Sequence, residues 1–196
     1  MSQRVFEAID FATKAHTGQF RKGTKVPYIV HPLGVSKILI EAGCSEEVVV
    51  AGILHDTVED SSTRIDDIRR DFGEEVARLV EGASEPDKSD TWENRKRHTI
   101  DILETASMDA VYVSLADKLA NIRDIRADYE KLGDDVFLRF NRPKDKQEWY
   151  YRAMAGVFSK RIVDEPFLSL MLELRFEIVK VFQGSLSGRG REEGQP

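Results

Sequence analysis

Cys44 is the only cysteine among 196 residues, so no intrachain disulfide can form and a reducing cytoplasm is the expected compartment. No apolar run approaches the ~20 residues that a membrane-spanning helix takes. The first residues, Met1-Ser2-Gln3-Arg4-Val5, lead straight into an amphipathic pattern with acidic members, unlike a signal peptide. An excess of positive charge is lacking too. The net charge of -6 argues against a nucleic-acid partner, because neutralising phosphates takes a basic footprint; it suits a site that gathers carboxylates around a cation. Neither an internal repeat nor the alternating pattern of a strand ladder is found. These absences point to an all-α cytoplasmic protein with no membrane or nucleic-acid partner.

What is present is ordinary in bulk and unusual in places. A hydrophobic content of 41% and a charged content of 33% are those of a globular chain, and the length suffices for one domain with a real core. Val5, Phe6, Ile9, Ala12 and Ala15 recur at helical spacing and predict a first helix to about His16, with Gly18 as its stop. A basic loop with Arg21, Lys22 and Lys25 follows, then a short extended piece over 27–30. His31-Pro32 opens a second helix with proline in its first turn, ending at Gly43. Ser45 is the N-cap of a third, with Glu46 and Glu47 at its positive end. Thr63 with Asp66 starts a short helix that stops near Gly73, another covers 74–80, and 82–89 reads as a loop. Helices are further expected over 92–103, 109–129, 144–160 and 166–182. Residues 1–183 thus form one bundle of about eight to ten helices, and 184–196 have the composition of a disordered tail.

The chain is organised around Ile53-Leu54-His55-Asp56-Thr57-Val58-Glu59-Asp60. At about 100° per residue, His55 lies under Glu59 and Asp56 under Asp60, so one helix face carries all four. Ala51, Ile53, Leu54 and Val58 continue an apolar run through them, and buried polar groups need partners. A metal ion is the most economical partner. His31 and Asp117, on two other predicted helices and beside apolar residues, are of the same ligand types. Two neutral imidazoles and two carboxylates suit a divalent first-row ion with positions left for water and a phosphate oxygen. Spacing alone does not bring the four together.

His31, His55-Asp56 and Asp117 resemble the H…HD…D signature of HD-domain metal-dependent phosphohydrolases. The flanks narrow this: Ala15-His16-Thr17-Gly18-Gln19-Phe20-Arg21-Lys22, Pro27-Tyr28-Ile29-Val30-His31-Pro32, Leu54 to Asp60, and Leu115-Ala116-Asp117-Lys118-Leu119-Ala120-Asn121 look like the hydrolase domain of RelA/SpoT proteins. The resemblance covers about residues 3 to 160. It implies that His31, His55, Asp56 and Asp117 hold a metal, Mn²⁺ most often in the family. Glu59 and Asp60 would orient and deprotonate the attacking water. Arg21, Lys22 and Asn121 would contact the nucleotide, with Arg123 on phosphate and Tyr151 of the Trp149-Tyr150-Tyr151 run as a further contact. Arg95, Lys96 and Arg97 are candidates for distal phosphates or a solvated face, and His16 and His98 are supporting or surface residues. The segment between the basic pair and Pro27-Tyr28 looks one residue longer than the commonest form.

The implied activity is that of a stand-alone small alarmone hydrolase, since the chain ends where a synthetase domain would begin in bifunctional relatives. Such an enzyme removes the 3′-pyrophosphate of guanosine tetra- or pentaphosphate, a small-molecule purine nucleotide. Two alternatives are phosphohydrolysis of another nucleotide such as NADPH, and a non-catalytic module that binds alarmones.

Overall fold

The computed structural model describes residues 2–83 and 89–183, so the expected tail and most of the 82–89 loop lie outside the described residues. The elements are α1 (Gln3–Ala15), α2 (Val30–Glu41), α3 (Glu46–Leu54), α4 (Thr57–Asp60), α5 (Ile65–Ala83), α6 (Trp92–Thr105), α7 (Met108–Leu132), a 3-10 helix (Gly133–Arg139), α8 (Lys144–Arg161) and α9 (Phe167–Phe182). Among the described residues the sole β feature is an isolated bridge between Phe20 and Pro27. The all-α expectation holds.

Helix starts follow from hydroxyl caps. The side chains of Ser45, Thr91 and Ser107 accept hydrogen bonds from Val48 N, Asn94 N and Ala110 N, each satisfying a donor that the first helical turn leaves without an internal partner. Helix α3 is the centre of the molecule: every residue from Val48 to Leu54 is buried, as an all-round apolar helix demands. It packs against α1, α2, α5 and α7. Gly52 makes the α2 contact close, because a Cβ there would collide with Leu39 of α2. The end of α3 therefore comes up beside the first turn of α2, where His31 sits. Helix α7 runs across α2, α3, α5 and α9, and its Val111, Val113, Leu115, Ala116 and Leu119 are buried around Asp117 and Lys118.

Two local expectations change. His55, Asp56, Glu59 and Asp60 do not share one uninterrupted helix: α3 ends at Leu54, and α4 begins at Thr57. Thr57 Oγ1 donates to the Leu54 carbonyl at 2.7 Å, a side-chain bond that competes with the helical ladder. His55 and Asp56 stay in the right-handed region (φ -55, ψ -36; φ -94, ψ -7), so the chain turns without straightening. Of the expected extended piece over 27–30, only Pro27 is bridged; Tyr28 and Ile29 form a turn, and Val30 is already helical. Gly73 does end a helical arm as its sequence predicts, at a φ of 85° that bends α5 in two.

Candidate active site

The turn after α3, the first turn of α2 and the middle of α7 meet. His31 and His55 are each 3% exposed, and their rings stand 5.2 Å apart at 67°. Asp117 Oδ1 lies 3.1 Å from His31 Nε2 and 3.7 Å from His55 Nε2. Asp56 Oδ2 lies 3.5 Å and 3.1 Å from the same two nitrogens. Ligand atoms of His31, His55 and Asp117 all fall within 4.8 Å of one another.

The tautomer of His55 is set by its surroundings. Its Nδ1 faces the Gly52 carbonyl at 2.8 Å, so Nδ1 carries the proton and donates, leaving Nε2 with its lone pair in the cluster. That Nε2 is buried and makes no hydrogen bond of acceptable direction, although two carboxylates are near. A buried imidazole lone pair aimed at two carboxylates and a second imidazole fits a cation, and the mixed N/O donor set suits a divalent metal. A proton is the rival occupant. Burial would lower the pKa of His55, but Asp56 and Asp117 outweigh it and hold it well above the usual histidine range. Burial would likewise raise both carboxyls; the charge on His55 and the nearby imidazole of His31 hold Asp56 well below its ordinary value, and Lys118 with the two imidazoles does so for Asp117.

The cluster forms the floor of a cleft of about 680 Å³, counting its open mouth. Glu59 lines it from α4, and Arg21, Lys96, Lys118 and Asn121 line it as well. Lys118 Nζ is 2.5 Å from Asp117 Oδ2. Asn121 Nδ2 donates to Asp117 Oδ1 at 2.5 Å, and Arg21 donates to Asn121 Oδ1 at 2.6 Å. The longer loop after Arg21 thus still aims the guanidinium into the cleft. Backbone bonds from Arg21 N to Val26 O (2.8 Å) and Tyr28 N to Gln19 O (3.0 Å) hold that loop.

Not every candidate converges. Lys22 is turned toward Asn141, with Nζ 3.0 Å from Oδ1, and does not line the cleft. Arg123 forms a bidentate pair with Glu173 of α9, both bonds 2.8 Å; six positions on from Asp117, it points about 240° round the helix. Tyr150 and Tyr151 are both buried; Tyr150 lines the cleft, while the Tyr151 ring packs 5.8 Å from that of Phe182 and its hydroxyl is within electrostatic reach of Lys118, Asp117 and Arg21. Of the basic run on α6, Lys96 reaches the cleft, its Nζ 4.8 Å from the Tyr150 ring, while Arg97 borders a separate hollow with Trp149. His98 is exposed. Asp60 is also exposed and approaches Tyr28 Oη at 3.1 Å. Sequence reading passed over Tyr28, Lys118 and Tyr150; the first two sit inside motif runs, and Tyr150 is in the aromatic run beside the residue chosen.

A fold of this kind, with two histidines and an aspartate gathered between three helices, is what the HD domain family builds, and the chain belongs to that family, matching it over residues 8–144. It is homologous to the guanosine-3′,5′-bis(diphosphate) 3′-pyrophosphohydrolases. It is 45% identical over 125 residues to human MESH1 of that name, covering 62% of this chain and 69% of the relative. The enzyme of the same activity name from Aquifex aeolicus is 36% identical over 128 residues, which are 63% of this chain and 18% of that longer protein. Among solved structures, a metazoan ortholog of SpoT described as hydrolysing ppGpp superposes with a TM-score of 0.74 at 31% identity, covering 91% of this chain and 95% of the other. A Listeria monocytogenes protein superposes with a TM-score of 0.72 at 37% identity, covering 79% and 99%. No helix among the described residues is long and apolar enough to cross a membrane.

Proposed function

We propose that the chain is a metal-dependent hydrolase that removes the 3′-pyrophosphate of guanosine tetra- and pentaphosphate, giving GDP or GTP and pyrophosphate. The observation that carries the reaction class is the imidazole–carboxylate cluster with the lone pair of His55 Nε2 directed into it. The nucleotide is proposed from the activity names of the relatives. His31, His55, Asp56 and Asp117 would hold the ion, Mn²⁺ by preference. When bound, such an ion lowers the pKa of a water and stabilises charge on a phosphate oxygen.

The chain's own residues do the rest. Glu59, on the cleft wall one turn beyond the cluster, accepts the proton of the attacking water, and Asp60, which does not line the cleft, acts on its orientation from behind that wall. The water oxygen bonds to the phosphorus attached to the ribose 3′ oxygen, the P–O3′ bond breaks, and the departing oxygen takes up the proton held by Glu59, which leaves a 3′-hydroxyl and pyrophosphate. Arg21, Lys96 and Lys118 give the cleft three cationic side chains for a substrate with four or five phosphates. Arg21 can also lay its planar guanidinium on a base, with Asn121 as its polar neighbour.

Pyrophosphate release from guanosine tetraphosphate by the Mn²⁺-loaded protein tests the reading, with NADPH as a competing substrate at matched concentration. Turnover of the alarmone with its loss in Glu59→Gln is the expected result. Preference for NADPH would reassign the substrate, and nucleotide binding without turnover would make the protein a binding module.

A further inference from the structure

The geometry points to Tyr28 as a positioning residue of the proposed reaction, its hydroxyl linking the carboxylate of Asp56 to that of Asp60, with His16 and Gln19 as the brace that holds it there. This rests on the functional reading above in its catalytic part only. Tyr28 Oη stands 2.7 Å from Asp56 Oδ2 and 3.1 Å from Asp60 Oδ2. A phenol has one proton, so it donates to one of these carboxylates at a time, and the shorter distance favours Asp56. The oxygen so held is the one that lies nearest the Nε2 atoms of His31 and His55. Fixing its place fixes one corner of the cluster. Asp60 does not line the cleft and Tyr28 does, so the hydroxyl is a path by which Asp60 reaches the centre.

The brace is built from His16 and Gln19, two residues that the proposed chemistry leaves without a role, in the run that also carries Arg21. The ring of His16 lies against that of Tyr28, centroids 4.6 Å apart and tilted 32°. His16 Nδ1 meets Gln19 Oε1 at 2.8 Å, and Gln19 Nε2 donates to the Asp60 carbonyl at 2.6 Å. The Gln19 carbonyl accepts from Tyr28 N at 3.0 Å. One glutamine therefore grips the backbone on both sides of the hydroxyl. On its other flank the Tyr28 ring meets His31 edge-on at 6.0 Å and 77°. A phenol, with an ordinary pKa of about 10, keeps its proton near neutral pH and so donates.

Outer-shell partners of this sort are worth about 10- to 100-fold in metal affinity or activity. Tyr28→Phe keeps the ring and removes one oxygen. In the full chain it is expected to weaken Mn²⁺ binding by about 10- to 100-fold in calorimetric titration, and to lower kcat while leaving KM for the nucleotide in place. A double-mutant cycle with Asp60→Asn reads the link directly: the kcat loss from Tyr28→Phe should shrink clearly once Asp60 is already neutral. Circular dichroism reports folding; if the phenylalanine variant does not fold, Gln19→Ala, which removes the brace and keeps the hydroxyl, carries the same expectation for Mn²⁺ affinity. Unchanged Mn²⁺ affinity in a folded Tyr28→Phe protein overturns the inference, and so does strict additivity in the cycle. Because the titration needs no nucleotide, a wild-type protein that fails to turn over the alarmone would sink the functional reading while the metal titration still decides the role of Tyr28.

Discussion

Helix α7 has two charged faces that do opposite work. On one, Asp117, Lys118 and Asn121 line the cleft, and their charges are held close to other polar groups with little water: the Asp117 side chain is 13% exposed and that of Lys118 16%. On the other, Arg123 and Arg126 reach across to Glu173 and Glu177 of α9, at the surface in the case of Arg123, which is 42% exposed. The first face concentrates charge that a ligand would relieve. The second spends its charges on pairs that fasten two helices, Arg123 with Glu173 and Arg126 with Glu177 Oε1. Proximity in sequence hides this difference, since Arg123 is only two residues from Asn121.

Substitution on each face should separate the two roles. Asp117→Asn removes a cluster carboxylate and is expected to cost more in Mn²⁺ affinity and turnover than the roughly 100-fold of an outer-shell residue; elemental analysis and pyrophosphate release check it. A metal content equal to that of the wild type would break the comparison at once.

The next effect is in pH. A proton and a metal compete for His55 Nε2, and the pKa of His55 is raised in the metal-free chain, so Mn²⁺ affinity should fall by about tenfold per unit as pH drops below that raised value. Calorimetry in buffers of different ionisation enthalpy counts the released proton. Without metal the sign reverses: a raised histidine pKa contributes stability that is fully present below the unfolded value near 6.5 and is lost as pH climbs through the folded one. The melting midpoint of the apo protein should then decline with rising pH, while that of the loaded protein does not.

Gly52 lies between the two cases: its carbonyl holds His55 Nδ1, and its missing side chain lets α3 lie close against Leu39 of α2. Gly52→Ala overpacks the contact with buried Leu39, at a cost of about 1–3 kcal/mol, or a midpoint lower by roughly 2–4 °C per kcal/mol in a chain of this size. Turnover should fall with it, because the cluster spreads.

The smallest effect is expected at Arg123→Gln. Exposed pairs contribute roughly 0–1 kcal/mol, so the midpoint should shift slightly and neither kcat nor Mn²⁺ affinity should change. A clear loss of kcat there would place Arg123 on substrate after all and erase the distinction between the faces.

The helical class, most helix ends and the ligand types are legible along the chain because they rest on local physics: 3.6-residue periodicity, a hydroxyl cap such as Ser45, and a His-Asp pair in an apolar run that leaves buried polarity unanswered; the HD-domain resemblance rests instead on the order of its separated motifs. Which charges converge is set by the packing of distant helices. Periodicity says that Arg123 and Asp117 face different ways, but not that α9 waits for the first with Glu173, nor that the turn of Lys22 takes it to Asn141. It could not tell that Tyr150 lines the cleft while the Tyr151 ring, a step of about 100° on, packs against Phe182, because the cleft is made by other helices. The bend between α3 and α4 was invisible for a similar reason: a threonine hydroxyl takes the Leu54 carbonyl, and that competition is settled by packing around Thr57, which is fully buried. The meeting of His31, His55 and Asp117 rests likewise on Gly52, whose missing side chain lets α2 and α3 approach.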